Sequence, residues 1–304
     1  MNENDSIAYD NIITKIIETD LTHQKKLQLS ILRLDKIHPI ISGNKWFKLT
    51  YYLQDAVDKQ FDTILTFGGA FSNHIAATAF AASTRKLSSI GIIRGERPKI
   101  LSHTLKNAEA CGMRLHFVPR EEYKALKRTD INPPTYHFGN CYVIPEGGFG
   151  YWGTRGAEGI LRHVICEAYT HIVTGVGTGT TLAGITKAAL PHQQVIGVSV
   201  MKNNIGLEHE IASLMNGELP ANFKLIHDYH FGGYAKFSAD LITFMNRVYN
   251  EIKVPLDFVY TAKVMFGIFD LIEKDFFSPQ SSILMIHTGG LQGNLSLKPG
   301  VLIF

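Results

Sequence analysis

Long apolar runs are missing from this chain. Its most hydrophobic stretches are short and broken by glycine or charge, so none reads as a membrane span. The opening residues, MNENDSIAYDNIITKIIE, are acidic and lack the apolar segment of an export signal. Cysteine is scarce: Cys111, Cys141 and Cys166 are an odd number at wide spacings, with no C-x-x-C pair. That pattern argues against a disulfide framework and fits buried free thiols in a reducing compartment, so a cytoplasmic location is expected. A basic tract is lacking too. The 30 Lys and Arg against 27 Asp and Glu leave a net charge of +3, interspersed as in DLTHQKK and REEYKALKR, which provides no footprint for nucleic acid. Internal repeats and low-complexity segments are absent. His227 and His230 in HDYH have no Cys or carboxylate cluster at ligand spacing, so no metal is expected.

What remains is an ordinary globular composition, 45% hydrophobic and 19% charged over 304 residues, long enough for two domains. From residue 61 on, β-branched runs alternate with helix-period segments: FDTILTFGG with SNHIAATAFAAS, SSIGIIRG with ILSHTLKNAEACG, MRLHFVP with REEYKAL, NCYVIPEGG with GTRGAEGILRHVICEA, THIVTGVG with TLAGITKAAL, and QVIGVSV with IGLEHEIASLM. Strands apolar throughout and separated by helices predict an α/β protein with parallel sheet covered on both faces. KRTDINPPTYHFGN reads as a surface loop. In such folds the turns after the carboxyl ends of strands carry the chemistry.

The richest of these turns is HIVTGVGTGTTLAGI, which passes through Gly175, Gly177, Thr178, Gly179, Thr180 and Thr181 straight into a helix. Glycines let the backbone approach an anion, and free N–H groups at the helix start point toward it. A dinucleotide fingerprint fails here: its third glycine falls on Thr180 or Leu182 depending on register, and VIGVSV runs into Met201-Lys202 where an acid is needed. No Walker motif occurs. A single terminal phosphate fits. TFGGAFSNH, with Ser72 and Asn73, and LMIHTGGLQGN, with Thr288, end two further strands in glycine pairs and small polar groups.

In SGNKWFKL, residues 42–49, Lys45 follows a Gly-Asn turn and precedes an apolar stripe of Trp46, Leu49, Leu53, Ala56 and Val57 at helical spacing. Lys45 therefore falls in the first turn, where the helix dipole and burial both lower an amine's pKa. A neutral amine condenses with an aldehyde, and the cofactor with one aldehyde and one phosphate is pyridoxal 5′-phosphate. Lys48 is expected to run along the helix surface.

SGNKWFKL, GGAFSNHIAATA, PEGG at 145–148, VTGVGTGTTLAGI, LDFVYTAKVMFGI and IHTGG together resemble the D-cysteine desulfhydrase / 1-aminocyclopropane-1-carboxylate (ACC) deaminase family, fold type II enzymes that use pyridoxal phosphate. The resemblance implies two open, mostly parallel sheets flanked by helices. It further implies a small domain at residues 46–160 and a large one at 1–45 plus 161–304, with the cofactor in the cleft between them. Carried over residue by residue, Lys45 bonds the cofactor aldehyde and moves the substrate proton, with Ser72 and Tyr260 as further catalytic groups. Asn73 meets the ring oxygen, Gly177, Thr178, Gly179, Thr180 and Thr181 the phosphate, and Thr288 the ring nitrogen. Apart from the resemblance, His74 is expected either to contact substrate or to pack at the helix start, and His287, which strand alternation turns to the face opposite Thr288, to be structural or substrate-proximal. A hydroxyl at the ring nitrogen, in place of an acid, favours α,β-elimination of a small amino acid to a 2-oxo acid and ammonia. Homodimers are common in the family.

Phe71, and Phe258 and Ala262 beside Tyr260, depart from the family pattern and are expected to line the substrate side. D-cysteine is the first candidate substrate, with ACC and hydroxy amino acids as alternatives. A noncatalytic protein that binds pyridoxal phosphate or amino acids on the same fold is the alternative of another class.

Overall fold

The computed structural model describes residues 7–128 and 138–304. Most of the loop expected at KRTDINPPTYHFGN lies outside the described residues. The chain starts with a hairpin, β1 (Thr14–Ile17), α1 (Asp20–Gln24) and β2 (Gln28–Arg33), and α2 (Asn44–Asp58) follows. Four strand-helix units come next: β3 (Thr63–Gly68) with α3 (Asn73–Thr84), β4 (Ser88–Arg94) with α4 (His103–Ala110), β5 (Met113–Val118) with α5 (Arg120–Arg128), and β6 (Tyr142–Ile144) with α6 (Tyr151–Glu158). Next come β7 (His171–Val176), α7 (Thr180–Ala188), β8 (Gln194–Ser199), α8 (Leu207–Ser213), β9 (Phe223–Ile226), α9 (Ala239–Ile252), α10 (Thr261–Glu273) and β10 (Ser282–His287).

These strands form two sheets. One has six strands in the order β1-β2-β10-β7-β8-β9 and the other four in the order β5-β4-β3-β6. Every described pairing is parallel except that of β1 with β2. The expected α/β architecture of two mostly parallel sheets is therefore the observed one. The strand alternation from residue 61 on is recovered as well. The hairpin at β1 was not anticipated: β1 has four residues, and Ile16 is 67% exposed, so it gives little periodic signal.

All four strands of the smaller sheet come from residues 63–144, whereas β2, β7 and β10 of the larger sheet flank that segment in sequence. One apolar cluster packs α9 and α10 on the larger sheet, and another packs α7 with residues of α2 and α6 on its opposite face. Each fully buried Leu or Ile there contributes about 1.5–3 kcal/mol of burial free energy. Of the stripe expected on α2, Leu49, Leu53 and Ala56 are buried, Trp46 is half-buried and Val57 is 43% exposed, while Phe47, outside the stripe, is buried. No helix is long and apolar enough to cross a membrane among the described residues. The cysteines are free, but only Cys141 is buried; Cys111 and Cys166 are half-buried, which corrects the expectation for those two.

Candidate active site

A cavity of about 400 Å³ opens where the turns at the carboxyl ends of β3, β7 and β10 converge on the start of α2. That volume is within the usual range for a small-molecule site. Lys45, the second residue of α2, lines it and places its amine 3.5 Å from Asn44 Oδ1. The preceding turn depends on Gly43, whose φ of +76 is left-handed and whose missing side chain lets the chain close on β10. A methyl group there would stand 1.9 Å from the Thr288 carbonyl oxygen, which itself accepts the Asn44 N–H at 3.2 Å. Asn44 then donates its amide to Thr181 Oγ1 at 2.8 Å, tying the lysine turn to the turn after β7.

Burial lowers the Lys45 pKa to about 8, against an upward pull from the Asp257 charge. Its side chain is half-buried by surface, because it opens onto the cavity while protein encloses it on the other sides. Only the uncharged amine adds to an aldehyde, so capture of pyridoxal phosphate by apoenzyme should accelerate as pH rises through about 8 and level off above it. Stopped-flow absorbance of the bound cofactor measures this. A rate flat between about pH 6.5 and 9.5 would show that this amine is not the titrating group.

Gly177, Thr178, Gly179 and Thr181 line the cavity beneath that amine. Gly179 adopts the left-handed conformation, φ +81, and opens the nine-residue α7 without a capping side chain. The first N–H groups of that helix are thus left for an outside acceptor. Thr180 does not line the cavity. Its Oγ1 lies 3.3 Å from Thr178 Oγ1, and its methyl points toward Gly153, so its contribution is its backbone N–H.

Lys48 corrects the expectation of a surface lysine. It is 2% exposed, lines the cavity, and makes no hydrogen bond or ion pair with a described residue. Burial, reinforced by the Lys45 charge, holds its pKa well below the ordinary lysine value. The sequence did contain a signal: residues three apart on a helix share a face, so an inward Lys45 brings Lys48 with it.

On the wall formed by α3, Ser72, Asn73 and His74 all line the cavity. Ser72 caps the helix, accepting from Ile75 N–H at 3.3 Å. Asn73 Oδ1 accepts from Gln292 at 2.8 Å, which leaves its amide N–H groups to donate elsewhere. His74 is 2% exposed, and its Nε2 lies 2.8 Å from Thr66 Oγ1. The Thr66 hydroxyl donates to the Ile144 carbonyl, so Nε2 carries the imidazole proton and Nδ1 is a bare acceptor with no partner. Burial, with the charges of Lys45 and Lys48, keeps this imidazole neutral.

Thr288, Tyr234 and Tyr260 complete the lining. Asp257 is fully buried and accepts the N–H groups of Val259, Tyr260 and Thr261, fixing where Tyr260 emerges at the start of α10. Burial raises the Tyr260 pKa well above the phenol value, so its hydroxyl keeps its proton near neutrality. Tyr234, from the turn HFGGYAK, packs edge-on to Tyr260 with ring centroids 6.0 Å apart.

His287 takes the structural one of its two expected roles, and two expected substrate-side residues, Phe258 and Ala262, lie elsewhere. His287 is fully buried outside the cavity lining, with Nε2 2.8 Å from the Pro255 carbonyl and Nδ1 3.3 Å from Asp35, since alternation along β10 turns it away from Thr288. Phe258 packs against Phe237, and Ala262 is buried in the core of the larger sheet. Phe71 does line the cavity. Residues that the sequence did not single out, Arg94 and Glu146 among them, line it as well. His227 pairs with Glu208 at 2.8 Å, and no cluster of three metal-ligating side chains is found among the described residues.

The family model described as pyridoxal-phosphate dependent enzyme matches residues 12–289. The bifunctional D-cysteine desulfhydrase/ACC deaminase of Arabidopsis thaliana is 31% identical over 297 residues, covering 88% of this chain and 73% of the relative. The D-cysteine desulfhydrase of Salmonella typhi is 29% identical over 292 residues, covering 89% of each chain. A crystal structure of an ACC deaminase homologue superposes with a TM-score of 0.77 at 26% identity, over 93% of this chain and 90% of that one. The chain belongs to the pyridoxal-phosphate dependent enzymes. Within them it is a fold type II enzyme of the ACC deaminase/D-cysteine desulfhydrase group, and its cofactor is pyridoxal 5′-phosphate. The residues present fit that cofactor: an amine able to shed its proton, a second buried amine without an acid partner, and an uncapped helix start meet in one cavity.

Proposed function

We propose that this enzyme catalyses α,β-elimination on a small amino acid, with D-cysteine the first candidate, releasing pyruvate, ammonia and sulfide. The observation that carries the reading is the juxtaposition of Lys45 with Thr288, a neutral hydroxyl where a carboxylate would strengthen the electron sink. When bound, pyridoxal phosphate supplies that sink for electrons at the substrate α-carbon. Lys45 holds the cofactor aldehyde and then carries the α-proton. The Gly177–Thr181 turn and the α7 N-terminus hold the phosphate, Asn73 donates to the ring oxygen, and Thr288 faces the ring nitrogen. Ser72 meets the substrate carboxylate, with His74 beside it, and the protonated Tyr260 is an acid. The residues 46–160 and the rest of the chain act as the two walls of the cleft. A cytoplasmic homodimer is part of the same reading, the free thiols at Cys111, Cys141 and Cys166 supporting a reducing compartment.

Turnover by the holoenzyme on D-cysteine, ACC, and D- and L-serine tests it, with 2-oxo acid and ammonia measured together. Pyruvate with sulfide from D-cysteine, at a kcat/KM at least about tenfold above the others, is the expected result. Preferential 2-oxobutyrate from ACC, or pyruvate from serine, would reassign the substrate. No 2-oxo acid from any of them would end the elimination reading.

A further inference from the structure

We infer that Arg94 forms a subsite for a second negative charge on the substrate, so that the enzyme accepts amino acids bearing an acidic group beyond the α-carboxylate. The inference rests on the cavity being an amino-acid site and deepens that reading by naming a substrate class.

Arg94 is the last residue of β4, the strand next to β3 in the smaller sheet, and its side chain lines the cavity. Its guanidinium lies over the Tyr123 ring, 5.7 Å from the centroid, and makes no hydrogen bond or ion pair with any described residue. A cation–π contact at that distance uses none of the N–H donors of the guanidinium. Glu146 also lines the cavity.

The fork is aimed inward. Nη2 sits 3.5 Å from the point where a Cβ on Gly69 would stand, an ordinary contact distance that places the guanidinium beside the turn leading to Ser72 and Asn73. The charge is also felt by Tyr234, contributed by a different turn of the cavity. The α-carboxylate has other donors available: the twelve-residue α3 begins at Asn73, and Asn73 and His74, which precede the Ile75 N–H capped by Ser72, line the same cavity. That leaves the guanidinium, a planar fork matched to an oxyanion, for a second acid such as a carboxylate or a sulfur oxyanion.

Aspartate and asparagine test this, because they share a shape and differ in charge. Their binding to the holoenzyme, in both enantiomers, is read by the shift in visible absorption of the cofactor, independently of turnover. For the enantiomer that binds, aspartate should bind at least about tenfold more tightly than asparagine. In Arg94→Met and Arg94→Gln the ratio should collapse to within about twofold with asparagine affinity unchanged. Arg94 is solvent-exposed at the cavity mouth, so neither variant should disturb folding, and retained cofactor absorbance checks this. A ratio near one in the wild type, or one that survives both substitutions, overturns the inference. So does a parallel loss for both ligands, which would mark Arg94 as the α-carboxylate anchor. Failure of the elimination reading is seen separately, as absence of 2-oxo acid from every amino acid offered.

Discussion

Lys45→Ala should reduce turnover by roughly four orders of magnitude or more, the loss expected when a residue acting at the reacting atoms is deleted. Borohydride treatment should then leave no cofactor covalently attached. The neighbourhood makes this a sharp test, because Lys48 lies one turn away in the same cavity and is the more deeply buried of the two. Both amines are shifted toward their neutral forms, so pKa alone does not choose between them. Position does. Lys45 occupies the first turn of α2, directly behind the turn that contacts Thr288, and its charge is within reach of Asp257. Peptide mapping of the reduced wild-type enzyme should find the cofactor on Lys45. Finding it on Lys48, with Lys45→Ala still active, would overturn the assignment of the anchor and leave the cavity intact.

Gly43→Ala should destabilise the protein by roughly 3 kcal/mol or more and weaken cofactor retention with it. Two penalties act together: a left-handed φ of +76, and a methyl that would stand 1.9 Å from a backbone carbonyl that cannot swing aside. Gly217→Ala removes the clash from the comparison, because its φ of +95 is also positive but nothing lies within 4 Å to strike. That control should lose only about 1 kcal/mol. Thermal melts of both variants with and without pyridoxal phosphate make the comparison. Equal losses in the two would mean that the Gly43–Thr288 contact contributes nothing beyond backbone strain.

The parts of the fold legible in the sequence were those with a strong local period. Buried runs such as ILTFG and HIVTGV show their β-branched content, and the glycine turns after them announce a backbone that must come close to something. The order of six motifs added the family, which the matches over residues 12–289 then established. Where the reading failed, the cause was direction. Phe258 and Ala262 sit within four residues of Tyr260, yet they point into the core beneath the larger sheet while Tyr260 points into the cleft. Apolar periodicity cannot distinguish a cavity wall from a core, because both are enclosed by protein, and so Lys48 was assigned to the solvent.

Residue order alone therefore determined the architecture and the cofactor, because both depend on short-range pattern: strand period and the glycine turns that follow the strands. Tertiary structure decided which side chains share a space. Asn44 meets Thr181 137 positions away, Asn73 meets Gln292 219 positions away, and Arg94 lines the same cleft. No local rule encodes those meetings, since they follow from how two sheets of separate chain segments are held against each other.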